Sequence, residues 1–346
     1  MHISSFEAIN YKSFLSSGQM KLEPGFNVVV GQNNVGKTAL AETLSLNLVA
    51  NPHRSQKTIP VAGGVPADPH SSARVTLGIS AEELREIVKR KRLPDPLYVL
   101  VKSHNETSSA AFQVRHLLDS GPSISAFYTT TDANTPALAL TRASLVGYET
   151  ASTNSGFIQF LSDYDTGTLR YDPSVFGSGG SNSQYLAYAL ASYVRDRLYF
   201  FNAVRFPPDE CVIGGDGELA PDASNLVQVL DLLNRNTIRW QRFFDQVKLV
   251  LPQVEAVTFV PSPRGGGQVQ ARLWTLDEGT ERMDLTVPLS ESGTGVAQVL
   301  AILYVVFTSD QPRIIVIDEP QSFLHPGAIR KLFERDMIES CGSGIS

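Results

Sequence analysis

The run Gly31-Gln32-Asn33-Asn34-Val35-Gly36-Lys37-Thr38 constrains this chain more than any other stretch, because it fills every position of the pattern GxxxxGK[ST]. The pattern works only in a particular setting. Glycines let the backbone wrap an anion with its N–H groups, and the wrap opens onto a helix N-terminus, whose dipole favours negative charge. A strand delivers the chain into the turn. Both neighbours are expected here. Phe26-Asn27-Val28-Val29-Val30 reads as a short strand buried on both faces, and Ala39 to Val49 as a helix with Leu40, Thr43, Leu44 and Leu48 at helical spacing. In that setting Lys37 reaches the β- and γ-phosphates of a nucleotide, and the Thr38 hydroxyl ligates Mg2+. An ordinary glycine-rich turn is the competing reading.

Two further signals lie far downstream. Arg313-Ile314-Ile315-Val316-Ile317 is a short apolar strand that runs straight into Asp318-Glu319. A carboxylate at the end of a buried strand is placed to hold hydrated Mg2+, the Walker B role for Asp318, and Glu319 beside it would orient or deprotonate an attacking water. Downstream of a phosphate loop this reading outweighs a plain strand-to-loop transition. The second signal is Leu289-Ser290-Glu291-Ser292-Gly293-Thr294-Gly295, which opens an apolar helix with Val296, Val299, Leu300, Leu303 and Phe307 on one face. Small residues at a helix start make a second anion site, which one nucleotide in one chain does not need. The geometry makes sense if Ser292, Gly293 and Gly295 close on a γ-phosphate held by another subunit; a glycine-rich cap is the bland alternative.

The rest of the chain sets bounds. Hydrophobic residues are 42% and charged residues 18% of 346, ordinary for a folded protein with two domains or one interrupted domain. A net charge of −6 argues against a wholly basic surface but leaves room for a local basic groove. Cys211 and Cys341 have no metal-ligand spacing. No basic, then apolar, leader opens the sequence, and the apolar run Val296 to Phe307 is too short to span a bilayer and carries Gln298. A soluble cytoplasmic protein without a membrane partner is expected.

Between these motifs, residues 51 to about 72 read as a linker, and Ser174 to Ser183 as a loop tip. Ser80 with Glu83 forms a capping-box pattern, on a helix that ends in Lys89-Arg90-Lys91-Arg92. Those four cations either complement the helix dipole or contact a phosphate backbone. Asn225 is expected to cap a helix with Leu226, Val229, Leu230 and Leu233 in its core face. No heptad pattern supports long coiled-coil arms.

The order of phosphate loop, Ser-Gly-rich helix start and apolar strand with Asp318-Glu319-Pro320 resembles the ABC-type ATPase head, and more closely the RecF/OLD branch of SMC-like AAA ATPases. The resemblance is carried by Ile9-Asn10-Tyr11-Lys12-Ser13-Phe14 before Pro24-Gly25-Phe26, by Phe200-Phe201-Asn202-Ala203-Val204-Arg205, and by Leu219-Ala220-Pro221-Asp222-Ala223-Ser224-Asn225-Leu226. It is also carried by Asp318 through Gln321-Ser322-Phe323-Leu324-His325-Pro326. It implies an α/β head with a mixed central sheet flanked by helices, assembled from residues 1–75 and 200–346 and interrupted by an α+β insertion at 76–199. It further implies a homodimer or higher oligomer that sandwiches ATP and Mg2+, each phosphate loop facing the partner's signature. Lys12 would lie near the phosphates and His325 at the dimer seam; a solvated strand-end charge and a helix-capping loop histidine compete. Arg205 would contact nucleotide or DNA, with a structural salt bridge as the alternative.

In that family a further strand, ending in a histidine, follows the Walker B segment. Here 27 residues follow Glu319, with His325 in the loop and no histidine beyond it. A truncated, a frameshifted and a short natural end all stay open. No C-terminal nuclease domain is expected. The leading expectation is an ATP-hydrolysing head coupled to DNA repair or defence against foreign DNA, acting with a separate effector such as a nuclease. A non-hydrolysing scaffold is the alternative, ahead of a transporter subunit, against which the insertion and the signature both speak. DNA as a partner rests on the resemblance.

Overall fold

The computed structural model describes residues 1–46, 70–101, 107–130, 138–146, 156–176, 184–201, 210–212, 217–220, 223–262, 268–308, 313–319, 327 and 331. The chain divides into two compact units, Met1–Tyr199 with Arg313–Val316, and Phe200–Pro312 with Ile317–Ser346.

The first unit opens with β1 (His2–Tyr11), β2 (Phe14–Ser16) and β3 (Met20–Lys21), followed by α1 (Lys37–Leu44), β4 (Ser72–Gly78) and α2 (Ala81–Lys89). Then come β5 (Leu97–Val101), α3 (Thr107–Ser120), β6 (Ser123–Thr130), β7 (Leu138–Leu145), β8 (Gly156–Asp163), β9 (Thr168–Phe176), α4 (Leu186–Arg195) and β10 (Leu198–Phe201). Its main sheet is antiparallel, in the order β2-β1-β4-β6-β7 with β3 also on β1. A bulge between Ile3 and Ser5 shifts the alternation of β1, so Ile3, Phe6 and Ala8 all turn inward. Strict alternation in β6 sends Ile124, Ala126 and Tyr128 to the same face. There α4 lays down Leu186, Leu190 and Val194, and the Tyr128 hydroxyl, buried with them, donates to the Ala191 carbonyl at 3.2 Å. A second antiparallel sheet, β5-β8-β9, carries Leu97, Val99, Ile158 and Phe160 in the same core. The boundary expected near residues 75–76 falls inside β4.

The second unit contains β11 (Glu210–Val212), α5 (Leu226–Asn234), α6 (Thr237–Val250), β12 (Ala256–Pro261), β13 (Gln268–Trp274), β14 (Val287–Pro288) and α7 (Thr294–Thr308). The last strand, β15 (Ile314–Ile317), lies partly in each unit. The sheet β11-β13-β12, with β14 on β13, is antiparallel. Aromatic rings knit α6 to its neighbours: Phe243 meets Phe307 of α7 at 5.7 Å, and Trp240 meets Phe259 of β12 edge-on at 5.6 Å.

The chain crosses between units within β10 and β15, which pair with each other. The Ile314 N–H donates to the Arg197 carbonyl (3.2 Å), and the Asp318 N–H to the Phe201 carbonyl (3.0 Å). Both partners advance four residues together, so this pair is parallel.

Three expectations are corrected. Phe26 to Val30 is not a strand and is not buried: Val28 and Val30 are 82% and 84% exposed. The cause is local. Asn27 folds back on Glu23, accepting from its N–H (2.9 Å) and donating to its carbonyl (2.7 Å), and Gly25 turns through φ +92°. β-Branched composition needs a partner backbone, and no strand ladder of the described residues includes Val28 to Val30. The described residues form four sheets, where one mixed central sheet was expected. Finally, α7 has no single apolar face: Ala297 through Val305 is buried all the way round, Gln298 included. The remaining expectations on residues 47–69, 177–183, 202–209, 221–222, 320–326 and 332–346 lie outside the described residues; these include Leu48, Arg205, His325 and Cys341.

Candidate functional site

The phosphate-loop motif folds as an exposed turn that ends on a helix. Asn34 and Gly36 both take left-handed backbone angles, φ 66° and 100°. Gly36 is then the N-cap of α1, its carbonyl accepting from the Leu40 N–H at 3.0 Å. By helical geometry the N–H groups of Lys37, Thr38 and Ala39 have no acceptor inside the helix. Glycine is required at position 36 twice over. Its φ disfavours a side chain, and a Cβ there would lie 2.8 Å from the Phe14 ring. The Lys37 ammonium folds back over the turn, donating to the Gly31 carbonyl (3.0 Å) and the Gln32 carbonyl (2.8 Å). Val35 packs behind Gly31, while Thr38 is exposed with no hydroxyl partner among the described residues.

Lys12 sits on the turn that carries Phe14, so the segment singled out with the motif does touch it. Its ammonium is 2.5 Å from a Glu42 carboxylate oxygen and 5.4 Å from the centre of the Tyr11 ring. The Tyr11 hydroxyl donates to the same oxygen at 2.8 Å. Burial first, then the hydrogen bond to Glu42 and its charge, push the Tyr11 phenol far above its ordinary pKa, so it remains a donor. Glu42 was not foreseen. Its signal was present in the sequence, because Ala39, Glu42 and Thr43 share the inward face of α1 and a carboxylate there requires partners.

In the other unit, Asp318 follows β15 directly and is 5% exposed, its N–H anchored on Phe201. Glu319 is half-buried with φ +47°, a conformation that costs a residue with a side chain about 1 kcal/mol. That strain falls on the residue expected to act as the base. The Ser-Gly segment forms a short 3-10 turn, Leu289–Glu291, before α7. Ser292 turns its hydroxyl inward onto the Leu289 carbonyl at 2.6 Å, and Gly293 sits at φ +88° with open space where a Cβ would be. Gly295 lies in the first turn of α7. Lys12 and Gly31–Thr38 belong to the first unit, and Ser292, Gly293, Gly295, Asp318 and Glu319 to the second. Asn225 does precede α5, but its side chain ties the loop, accepting from the Ala220 N–H and donating to the Glu218 carbonyl.

Among the described residues no cluster could hold a metal through histidine, cysteine or three carboxylates, and no helix is long and apolar enough to cross a membrane. Burial first, and then Asp231, push the Cys211 thiol up to about 11, which makes it a poor nucleophile.

Loop, helix start and lysine together have the sequence pattern and the local geometry of a phosphate-binding loop. Residues 180–345 are similar to the family described as "AAA domain, putative AbiEii toxin, Type IV TA system". That similarity supports the AAA/ABC-type ATPase superfamily without selecting its RecF/OLD branch. The matched span contains Ser292, Gly293, Asp318 and Glu319 and does not reach Gly31–Thr38. No curated protein matches the chain.

Proposed function

We propose that this chain is an ATP-binding and ATP-hydrolysing head of the RecF/OLD-like kind, which dimerises around nucleotide. The observation that carries the reading is the paired left-handed turn at Asn34 and Gly36, opening onto the free N–H groups of α1. Such a nest fits the anionic phosphates of ATP, and the exposed Thr38 hydroxyl fits Mg2+. Lys37 exchanges the Gly31 and Gln32 carbonyls for phosphate oxygens, trading neutral acceptors for charged ones. Asp318 offers its buried carboxylate to hydrated Mg2+, and Glu319 takes the proton of the attacking water. When bound, Mg2+ neutralises charge that builds on the phosphates. Gly293 and Gly295 leave backbone N–H groups open to a second subunit's nucleotide, and Ser292 joins them once its hydroxyl leaves Leu289. The family resemblance assigns His325 to that seam. Residues 1–75 and 200–346 carry these motifs, and 76–199 is the arm whose strands β6 and β7 extend the sheet of β1 and β4.

The cycle couples ATP to DNA repair or to defence against foreign DNA, together with an effector such as a nuclease. The test is nucleotide binding by calorimetry, with Lys37→Ala as the variant. Wild type is expected to bind Mg-ATP and Lys37→Ala to lose it; micromolar affinity retained in the variant would sink the phosphate-loop assignment.

A further inference from the structure

Three elements of the first unit bring arginines to one place. Helix α2 ends with Arg90 as its C-cap and Lys91 in the left-handed region, φ 54°. The Lys91 N–H donates to the Val88 carbonyl (2.9 Å) and the Arg92 N–H to the Ile87 carbonyl (3.2 Å), the paired bonds of a Schellman ending. This ending normally takes glycine, because a side chain there costs about 1 kcal/mol. Here Arg90, Lys91 and Arg92 are all exposed. Arg197 follows the end of α4 and lies 4.5 Å from the centre of the Tyr193 ring. Arg313 is set beside it, because the Ile314 N–H is bonded to the Arg197 carbonyl.

These groups feel one another. Burial comes first among the causes that lower the Arg197 pKa, opposed by Tyr193, and repulsion from Arg313, Arg92 and Arg90 adds to it. Tyr193 is raised by burial and drawn down by Arg197, Arg92 and Arg90, three of the same arginines. Carboxylates do not balance them. Glu86 serves Lys89 and Arg90, Asp196 lies against Arg195, and Arg92, Arg197 and Arg313 have no acidic partner among the described residues. A protein of net charge −6 thus gathers unpaired cations on one face, at a cost in mutual repulsion.

We propose that Arg90, Arg92, Arg197 and Arg313 form the surface on which the phosphate backbone of a nucleic acid lies. This rests on the reading of a DNA-coupled head and names where the strand sits. Guanidinium forks match phosphate oxygens, and a polyanion relieves the repulsion among all four at once. A membrane surface fits less well, because such contacts insert apolar side chains and the one beside the run, Leu93, is buried.

The experiment is fluorescence anisotropy of the full chain, without nucleotide, on a duplex of about 24 base pairs between about 50 and 200 mM salt. Wild type is expected to bind with a steep log–log salt slope. Arg90→Gln/Arg92→Gln alters only exposed side chains and is expected to bind about tenfold more weakly at the higher salt, with the slope reduced by about 2. Arg90→Lys/Arg92→Lys should restore the slope, which a merely structural role would not require. Three results would overturn the proposal: no duplex binding by wild type at the lowest salt, an unchanged slope in the glutamine variant, or binding transferred to phosphatidylserine vesicles. None of these touches the nucleotide reading, which stands or falls on Lys37→Ala.

Discussion

Glu42 holds two donors on one carboxylate oxygen, the Tyr11 phenol and the Lys12 ammonium, and is itself buried. Removing it leaves a buried hydroxyl and a cation without an acceptor, next to the turn that backs Gly36. Glu42→Ala is therefore expected to lower stability by about 2–4 kcal/mol, and Glu42→Gln by less, since its amide oxygen still accepts one bond. Urea unfolding measures both, and a loss below about 0.5 kcal/mol for the alanine variant would mean that the pair is cosmetic. At this scale the sequence was a partial guide. The residues of the phosphate loop are defined by pattern, because their chemistry depends on spacing within eight positions. Lys12 could be placed beside that loop only by resemblance, and its partner Glu42 lies 30 residues away, a pairing that no local pattern encodes.

At the scale of elements, local physics was legible and non-local physics was not. The Ser80–Glu83 capping box forms in full, with each side chain on the other's backbone N–H, because all its atoms lie within one turn. The apolar period of Leu226, Val229, Leu230 and Leu233 likewise becomes a buried face of α5. Phe26 to Val30 went the other way: its composition suits a strand, but strand pairing depends on another segment, and the Asn27–Glu23 turn wins locally. Helix α7 shows the same limit, since its packing against α5 and α6 and its burial all the way round cannot be read from its own periodicity. That burial strands Gln298, whose side-chain oxygen has no hydrogen-bond partner among the described residues at 2% exposure. Gln298→Met keeps the volume and removes the orphan acceptor, so it is expected to stabilise the chain by about 1 kcal/mol. A fall in the unfolding midpoint would show that the amide does make a compensating bond in solution.

For the whole molecule, the motifs divide between the two compact units, and the chain crosses from one to the other through β10 and β15. A nucleotide can shift an association equilibrium only by binding one state better than the other. In the proposed cycle that difference comes from the signature at Ser292 and Gly293, which adds contacts to a γ-phosphate held by a second copy. Hydrolysis removes those contacts and resets the equilibrium. Glu319 then controls the lifetime of the closed state, because proton abstraction from water is the step it supplies. Glu319→Gln keeps the size and loses the base, so with Mg-ATP it is expected to accumulate a species of twice the 37.7 kDa chain mass. Light scattering coupled to gel filtration reads this directly, and steady-state phosphate release from the same variant should fall to the blank. A population shift from about 1% to 99% dimer requires about 5.5 kcal/mol of differential binding between the two states. A variant that binds ATP, releases no phosphate and still elutes at the chain mass would separate the two halves of the proposal: Glu319 would stand as the base, and the nucleotide sandwich would have to be abandoned.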